Sequence, residues 1–146
     1  MATGTTFVFE EVALDVLNGI HNFSSNTYKM GLIDNSAAPA ATQATPTWSD
    51  FSANEVSGTG YSAGGEAVTV SISEVGGVAT VDFSIVTFAY NSAGPEDAYY
   101  GIIYNDTAAG KNAVASIDLG GPKSMRVGDL TVDANASGLF KLTVTP

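Results

Sequence analysis

The 146-residue chain has 45% apolar residues, 16 glycines and no cysteine, enough for one hydrophobic core and too little for two full domains. Five basic against 15 acidic side chains give a net charge of -10, which disfavours a sequence-independent grip on a phosphate backbone and excludes free nucleic acid as an expected partner. The absence of cysteine removes disulfide frameworks, thiolate nucleophiles and sulfur-rich zinc sites, and no apolar run approaches the roughly 20 residues that span a bilayer, so no membrane partner is expected.

Residues 1–6 carry no Lys or Arg, so a secretory signal is not expected and the segment reads as an N-terminal arm. Phe9, Val12, Ala13, Val16, Leu17 and Ile20 then recur at intervals of three and four. That spacing predicts one amphipathic helix of about three turns, with Thr5 or Thr6 as its N-cap and Gly19 and Asn22 as stop signals. His21 is expected near the helix end, bonding the last carbonyls. Tyr28, Met30 and Leu32 alternate along a strand that Asp34-Asn35-Ser36 ends. Residues 37–47, rich in Ala, Pro and Thr, read as an extended loop with few ladder bonds. Ser49-Asp50 sits between Trp48 and Phe51 where a short helical turn can begin, and the glycines of residues 58–65 return the chain to turn chemistry.

From residue 66 the period becomes two. Val68, Val70 and Ile72 alternate with Thr69, Ser71 and Ser73, and Gly76-Gly77 supplies a tight hairpin turn. Val81, Phe83 and Ile85 continue the pattern, but Val86 and Phe88 fall on the opposite parity, which predicts a bulge or a strand that passes from one sheet to another near Ile85. The strand around Tyr100, Ile102 and Tyr104 is apolar on both faces and reads as central. Alternations through Ile117, Leu130 and Leu142 give further half-buried strands. The sum is a single, mainly β domain over residues 1–146. Its expected architecture is an antiparallel β-sandwich or partly closed barrel of about seven strands, with one N-terminal helix.

Chemistry-bearing patterns are sparse. A Ser-His-Asp relay can be built only around His21, and no G-x-S-x-G elbow accompanies it. With one His and no Cys, only carboxylate metal sites remain, and Asp97, Asp106, Asp129 and Asp133 read as solvated turn residues unless the fold gathers them. The glycine-rich stretch 58–65 lacks the G-K-[ST] ending of a phosphate loop. No catalytic residue, cofactor or metal is therefore expected, and an enzyme is the least favoured class. Trp48, Tyr61, Tyr90 and Tyr99 are the rings from which a sugar-stacking platform would have to be made, with core packing as the competing role. Only 14% of residues are charged, against about 25% in an average globular protein. A surface built from Ser, Thr, Asn and Ala loses its water at little cost, because burying an unpaired charge is far more expensive than burying a hydroxyl that finds a partner.

Several segments carry a resemblance through their order and spacing. They are residues 19–32 (Gly19-Ile20-His21-Asn22-Phe23-Ser24-Ser25-Asn26-Thr27-Tyr28-Lys29-Met30-Gly31-Leu32), Ala37-Ala38-Pro39, Trp48-Ser49-Asp50-Phe51 and Gly58-Thr59-Gly60-Tyr61-Ser62-Ala63-Gly64-Gly65. The later aromatic strand, Tyr99 to Tyr104 running into Asn105-Asp106-Thr107, completes the set. In this arrangement the chain resembles a family of small structural proteins of tailed-bacteriophage virions. The resemblance implies a capsid cement or decoration protein on the outer surface of the head, with a tail or neck component as the alternative within the same class. Its implied partners are the major capsid protein and copies of itself, for example as a trimer. The arm and the 37–47 loop, both low in charge, are then the expected contact segments. The expected interface residues are Thr3, Thr5, Pro39, Thr42, Pro46, Trp48 and Tyr61. A carbohydrate-binding module on the virion surface is the reading from a different class.

Overall fold

The computed structural model describes residues 5–134 and 138–146, so Thr3 lies outside the described residues. Within them the chain is mainly β and antiparallel. The elements are β1 (Thr6–Val8), α1 (Val12–Leu17), β2 (Tyr28–Ile33), α2 (Trp48–Phe51), a single 3-10 turn (Ser52–Asn54), β3 (Glu66–Val68), β4 (Val70–Val75), β5 (Val78–Phe83), β6 (Val86–Phe88), β7 (Ala98–Asn105), β8 (Ala113–Lys123), β9 (Leu130–Val132) and β10 (Phe140–Thr143). They form a five-stranded sheet in the order β1-β8-β7-β2-β3, a three-stranded sheet β10-β5-β4 and the pair β6-β9.

The expectation of about seven strands in one sandwich or barrel is thus corrected to ten strands in three sheets, none of them closed into a barrel among the described residues. The difference has two physical sources. Two apolar alternations that read as single strands each change sheet partway: Thr69 separates β3 from β4, and Ser84-Ile85 separates β5 from β6. The two crossings lie side by side, because Ser84 N donates to Thr69 O at 2.8 Å and Thr69 N donates to Ser84 Oγ at 3.1 Å. The parity break at Ile85 and Val86 therefore marks a strand passing between sheets. The third extra strand is β1, whose residues Thr6, Phe7 and Val8 lie opposite Ile117, Ser116 and Ala115 of β8. Three β-branched or aromatic residues beside an open sheet edge are more favourable as a strand than as a helix start.

For the same reason the helix is shorter than its apolar stripe. Phe9 N bonds Val114 O as an extension of the sheet, the N-cap is Glu11 rather than Thr5 or Thr6, and Leu17 is 84% exposed. The stop signal acts as read. Gly19 takes φ +73°, and the bonds Gly19 N to Val16 O and Ile20 N to Asp15 O form a Schellman close. Residue 6 of the expected arm is part of the sheet, and Thr6 Oγ1 donates to Ala134 O at 2.6 Å.

The core lies on β7, which is central in its sheet and buried from Gly101 to Asn105. Tyr28 and Phe23 carry it across to the three-stranded sheet: Phe23 packs on Tyr28, Phe83 and Phe140 at ring separations of 5.3, 6.1 and 6.2 Å. The Gly76-Gly77 hairpin has positive φ at both residues, as a two-residue type I′ turn requires, with Val75 opposite Val78.

Candidate functional site

His21 was the one residue around which a catalytic relay could form, and the chain buries it. It does not bond the last helix carbonyls. The residue is only 4% exposed, and its ring stacks against Phe23 at 5.7 Å. Nε2 lies 3.5 Å from Asp15 Oδ2, and Nδ1 lies 3.3 Å from Asn105 Nδ2. A carboxylate only accepts and an amide nitrogen only donates, which assigns the proton of the neutral ring to Nε2. Asn105 instead fastens the segment just past the helix: its Nδ2 donates to Ile20 O at 2.9 Å. The ring nitrogens thus face Asp15 and Asn105, but Nε2 makes no hydrogen bond and the two hydrogens of Asn105 Nδ2 go to Ile20 O and Asn26 Oδ1, so the ring is held mainly by packing.

Burial lowers the His21 pKa from the ordinary 6.5, with the Asp15 carboxylate opposing the shift. The folded protein therefore binds this proton less readily than the unfolded chain. The stability conferred by neutral His21 is complete above pH 6.5 and is lost as pH falls through the depressed folded value. Unfolding midpoints measured from pH 7.5 to 5 are expected to fall more steeply for the native chain than for His21→Gln; parallel profiles would refute this assignment.

Acidic residues are not gathered. No group of three or more metal-ligating side chains exists among the described residues. Asp106 pairs with Lys111 and Lys29, and the hydrogen bond from Lys111 is the main cause holding its carboxyl below the usual range. Asp129 Oδ1 accepts from Tyr90 N at 2.7 Å. These are turn-fastening roles.

The aromatic platform is likewise not assembled. Trp48 is 7% exposed and lies flat on Tyr104 at 4.8 Å and 11°, over Gly31, where any Cβ would enter the indole ring. The hydroxyl of Tyr61 accepts from Leu32 N at 2.9 Å and donates to Glu55 Oε1 at 2.8 Å. Of the expected interface residues, Trp48 is therefore buried, as is Pro46, whose carbonyl accepts from Ala113 N, while Tyr61 is half-buried with its hydroxyl engaged. A ring pair and a buried hydrogen bond satisfy Trp48 and Tyr61 better than water would. Tyr90 remains exposed.

No protein-family model, curated protein or solved structure matches the chain. Its chemistry has to be read from its own surface, and two regions stand out.

The first is a strip without formal charge. Residues 5–9 and 37–47 contain no Asp, Glu, Lys or Arg, and they meet where Glu10 N donates to Ala41 O at 3.0 Å. The far end of the loop is pinned by Trp48 N to Lys111 O and by the bridge between Thr47 and Asn112. Asp50 Oδ2 accepts from both Thr47 N and Thr47 Oγ1, closing the first turn of α2 in the manner of a capping box. Thr5 and Thr42 are exposed and Pro39 is half-buried, so these three of the expected interface residues reach the surface.

The second region has no counterpart among the sequence expectations. On the three-stranded sheet, Val70, Ile72 and Glu74 lie opposite Phe83, Val81 and Ala79, with Phe140 and Leu142 completing the rows. Directly opposed residues share a face, so one face of this sheet is apolar along most of its length. Its base is covered by Phe23 and Tyr28, while its outer end shows Ile72 at 48% and Leu142 at 53% exposure. Alternation with Ser and Thr marks a half-buried strand equally at the covered base and at the open end. Only Gly76-Gly77, fixing the hairpin tip, signalled which end projects.

Proposed function

We propose that this chain is a non-enzymatic structural subunit of a phage virion, a capsid cement protein that seats on the outer face of the head and bridges neighbouring capsid subunits. The observation that carries the reading is that two segments without charged side chains, residues 5–9 and 37–47, are brought together by the backbone bond from Glu10 N to Ala41 O, with the Glu10 carboxylate at their junction. An interface made of methyls, hydroxyls and backbone is desolvated without stranding a charge. Many copies on a symmetric shell multiply a modest contact into a large total. The net charge of -10 suits the outer surface better than a lining that faces packaged DNA. The resemblance of the segment order to that of small virion proteins points the same way. Burial of Trp48 and engagement of Tyr61 leave the sugar-binding alternative without its two principal rings.

Occupancy on capsids is the test. Thr42→Glu introduces a charge at an exposed loop position and is expected to reduce binding to capsids lacking the protein by about tenfold, the equivalent of about 1.4 kcal/mol, with an unchanged unfolding midpoint. Thr5→Glu should act in the same direction. Removing residues 1–6 is a poorer test, because Thr6 pairs with Ile117 and Thr5 O accepts from Asp118 N. Quantitative mass spectrometry of purified particles separates the head from the tail or neck: hundreds of copies are expected, and on the order of 6 or 12, as a ring symmetry would give, would reject the cement assignment.

A further inference from the structure

We propose that β4 is a self-pairing edge, through which two copies of this chain join in an antiparallel, two-fold arrangement with Ile72 opposite Ile72 of the second copy. This goes beyond the capsid reading, since it concerns the free protein and a different surface.

The argument starts from the direction of backbone groups. Thr69 O accepts from Ser84 N, and the register running from Val70 opposite Phe83 to Val75 opposite Val78 continues that ladder. In an antiparallel pair, alternate residues bond to the neighbour and the rest point away. Ser71, Ser73 and Val75 therefore bond inward to β5, while the N–H and C=O groups of Val70, Ile72 and Glu74 point to the open edge. Among the described residues β4 pairs with β5 alone.

Such edges are normally guarded by Lys, Pro, a bulge or an inward-pointing charge. β4 reads Val-Ser-Ile-Ser-Glu-Val and has neither Lys nor Pro, and its pairing with β5 is unbroken. Its one charge, Glu74, is folded back on its own hairpin, where Oε1 accepts from Gly77 N at 2.7 Å.

The strand is complementary to itself in one register. With Ile72 on the two-fold axis, Val70 faces Glu74 of the second copy and Glu74 faces its Val70, so the three outward-pointing positions meet as directly opposed pairs and exchange about six backbone hydrogen bonds. On the other face Ser71 meets Ser73, two hydroxyls able to bond each other. Sliding the copies apart until the two Glu74 carboxylates oppose each other adds like-charge repulsion, which selects the centred register. Because Ile72 lies opposite Val81 and Val81 opposite Phe140, the union makes one six-stranded sheet. An apolar row of Phe140, Val81 and Ile72 then continues into the same three residues in reverse, covering the exposed flank of Ile72.

The chain has no cysteine, which makes a single introduced thiol a clean reporter of register. In the proposed pair the two Cα atoms at position 72 are about 5.5 Å apart, within disulfide range. Those at position 73 are offset by two residues each way and lie about 8 Å apart, outside it. Under mild oxidation of the folded protein, Ile72→Cys is expected to convert mostly to a covalent dimer and Ser73→Cys to remain at least tenfold less bridged. The unmodified chain should sediment at twice its 14.9 kDa with rising concentration, and Ile72→Lys, at an exposed position, should hold it monomeric with its circular dichroism unchanged. Equal bridging of the two cysteine variants, a monomer at every concentration, or a dimer that survives Ile72→Lys would each overturn the proposal. Capsid occupancy measured with Ile72→Lys stands apart from these results, because the charge-free strip is intact in that variant.

Discussion

Replacing Trp48 by alanine is expected to lower the unfolding free energy by about 3–5 kcal/mol, the usual cost of removing a large buried aromatic ring. The unfolding midpoint should fall by roughly 10 °C, since each kcal/mol moves a domain of this size by about 2–4 °C. The ring stacks on Tyr104 and lies over the Cα of Gly31, and the backbone N–H of Trp48 fixes the start of α2 by donating to Lys111 O. The glycine gives the prediction a second arm. Gly31→Ala alone should destabilise, because the added methyl meets the indole. Combined with Trp48→Ala, the same methyl enters the vacated space, so the double variant should be markedly more stable than the two losses added together. Strict additivity, or a Trp48→Ala protein that melts at the native temperature and has lost only particle binding, would return Trp48 to the surface role that its sequence position suggested.

That contrast shows how far the sequence could be read. The strands announced themselves wherever both the period and a turn signal were local: Gly76-Gly77 between two alternating runs, Gly19 ending the helix, and the two-sided apolar run of Tyr100 to Tyr104 as the sheet centre. What was not legible depended on the partner supplied by distant chain. Thr6 was consistent with a helix cap until β8, more than a hundred residues on, offered an edge to Thr6, Phe7 and Val8. A tryptophan next to a loop is equally suited to an interface and to a core, and the glycine that makes room for it stands on β2, in another part of the chain. His21 was placed correctly near the helix end, but its partners Asp15 and Asn105 come from the helix itself and from β7, and no local pattern joins those three residues. The charge-free strip could be read as composition; that its two pieces touch could not.

Asn105→Leu, nearly isosteric, is expected to cost about 3–4 kcal/mol, because one fully buried side chain satisfies several groups that would otherwise be stranded at about 1–3 kcal/mol each. Its Nδ2 donates to Ile20 O and Asn26 Oδ1, both at 2.9 Å. Its Oδ1 accepts from Thr107 N and Ala108 N, both at 3.1 Å. The amide thus ties the end of α1, the entry to β2 and the turn after β7 into one unit, with Asn112 extending it to Asp15 at 3.0 Å. Amide exchange reads the result locally: the Thr107 and Ala108 protons should exchange much faster in Asn105→Leu, while those in the β4–β5 hairpin should change only with global stability. Asn105→Asp separates the two halves of the side chain, keeping the acceptor for Thr107 and Ala108 but presenting a carboxylate to Ile20 O and Asn26 Oδ1, so it should protect the turn amides and still destabilise the helix end. The consequence reaches the 37–47 loop, because the turn after β7 holds Trp48 through Lys111 O, and the start of β8 holds Pro46 through Ala113 N. A loosened turn should therefore weaken particle binding as well as folding. An Asn105→Leu protein with native melting and native turn protection would show that the buried amide is dispensable and that the 37–47 loop is positioned by other contacts.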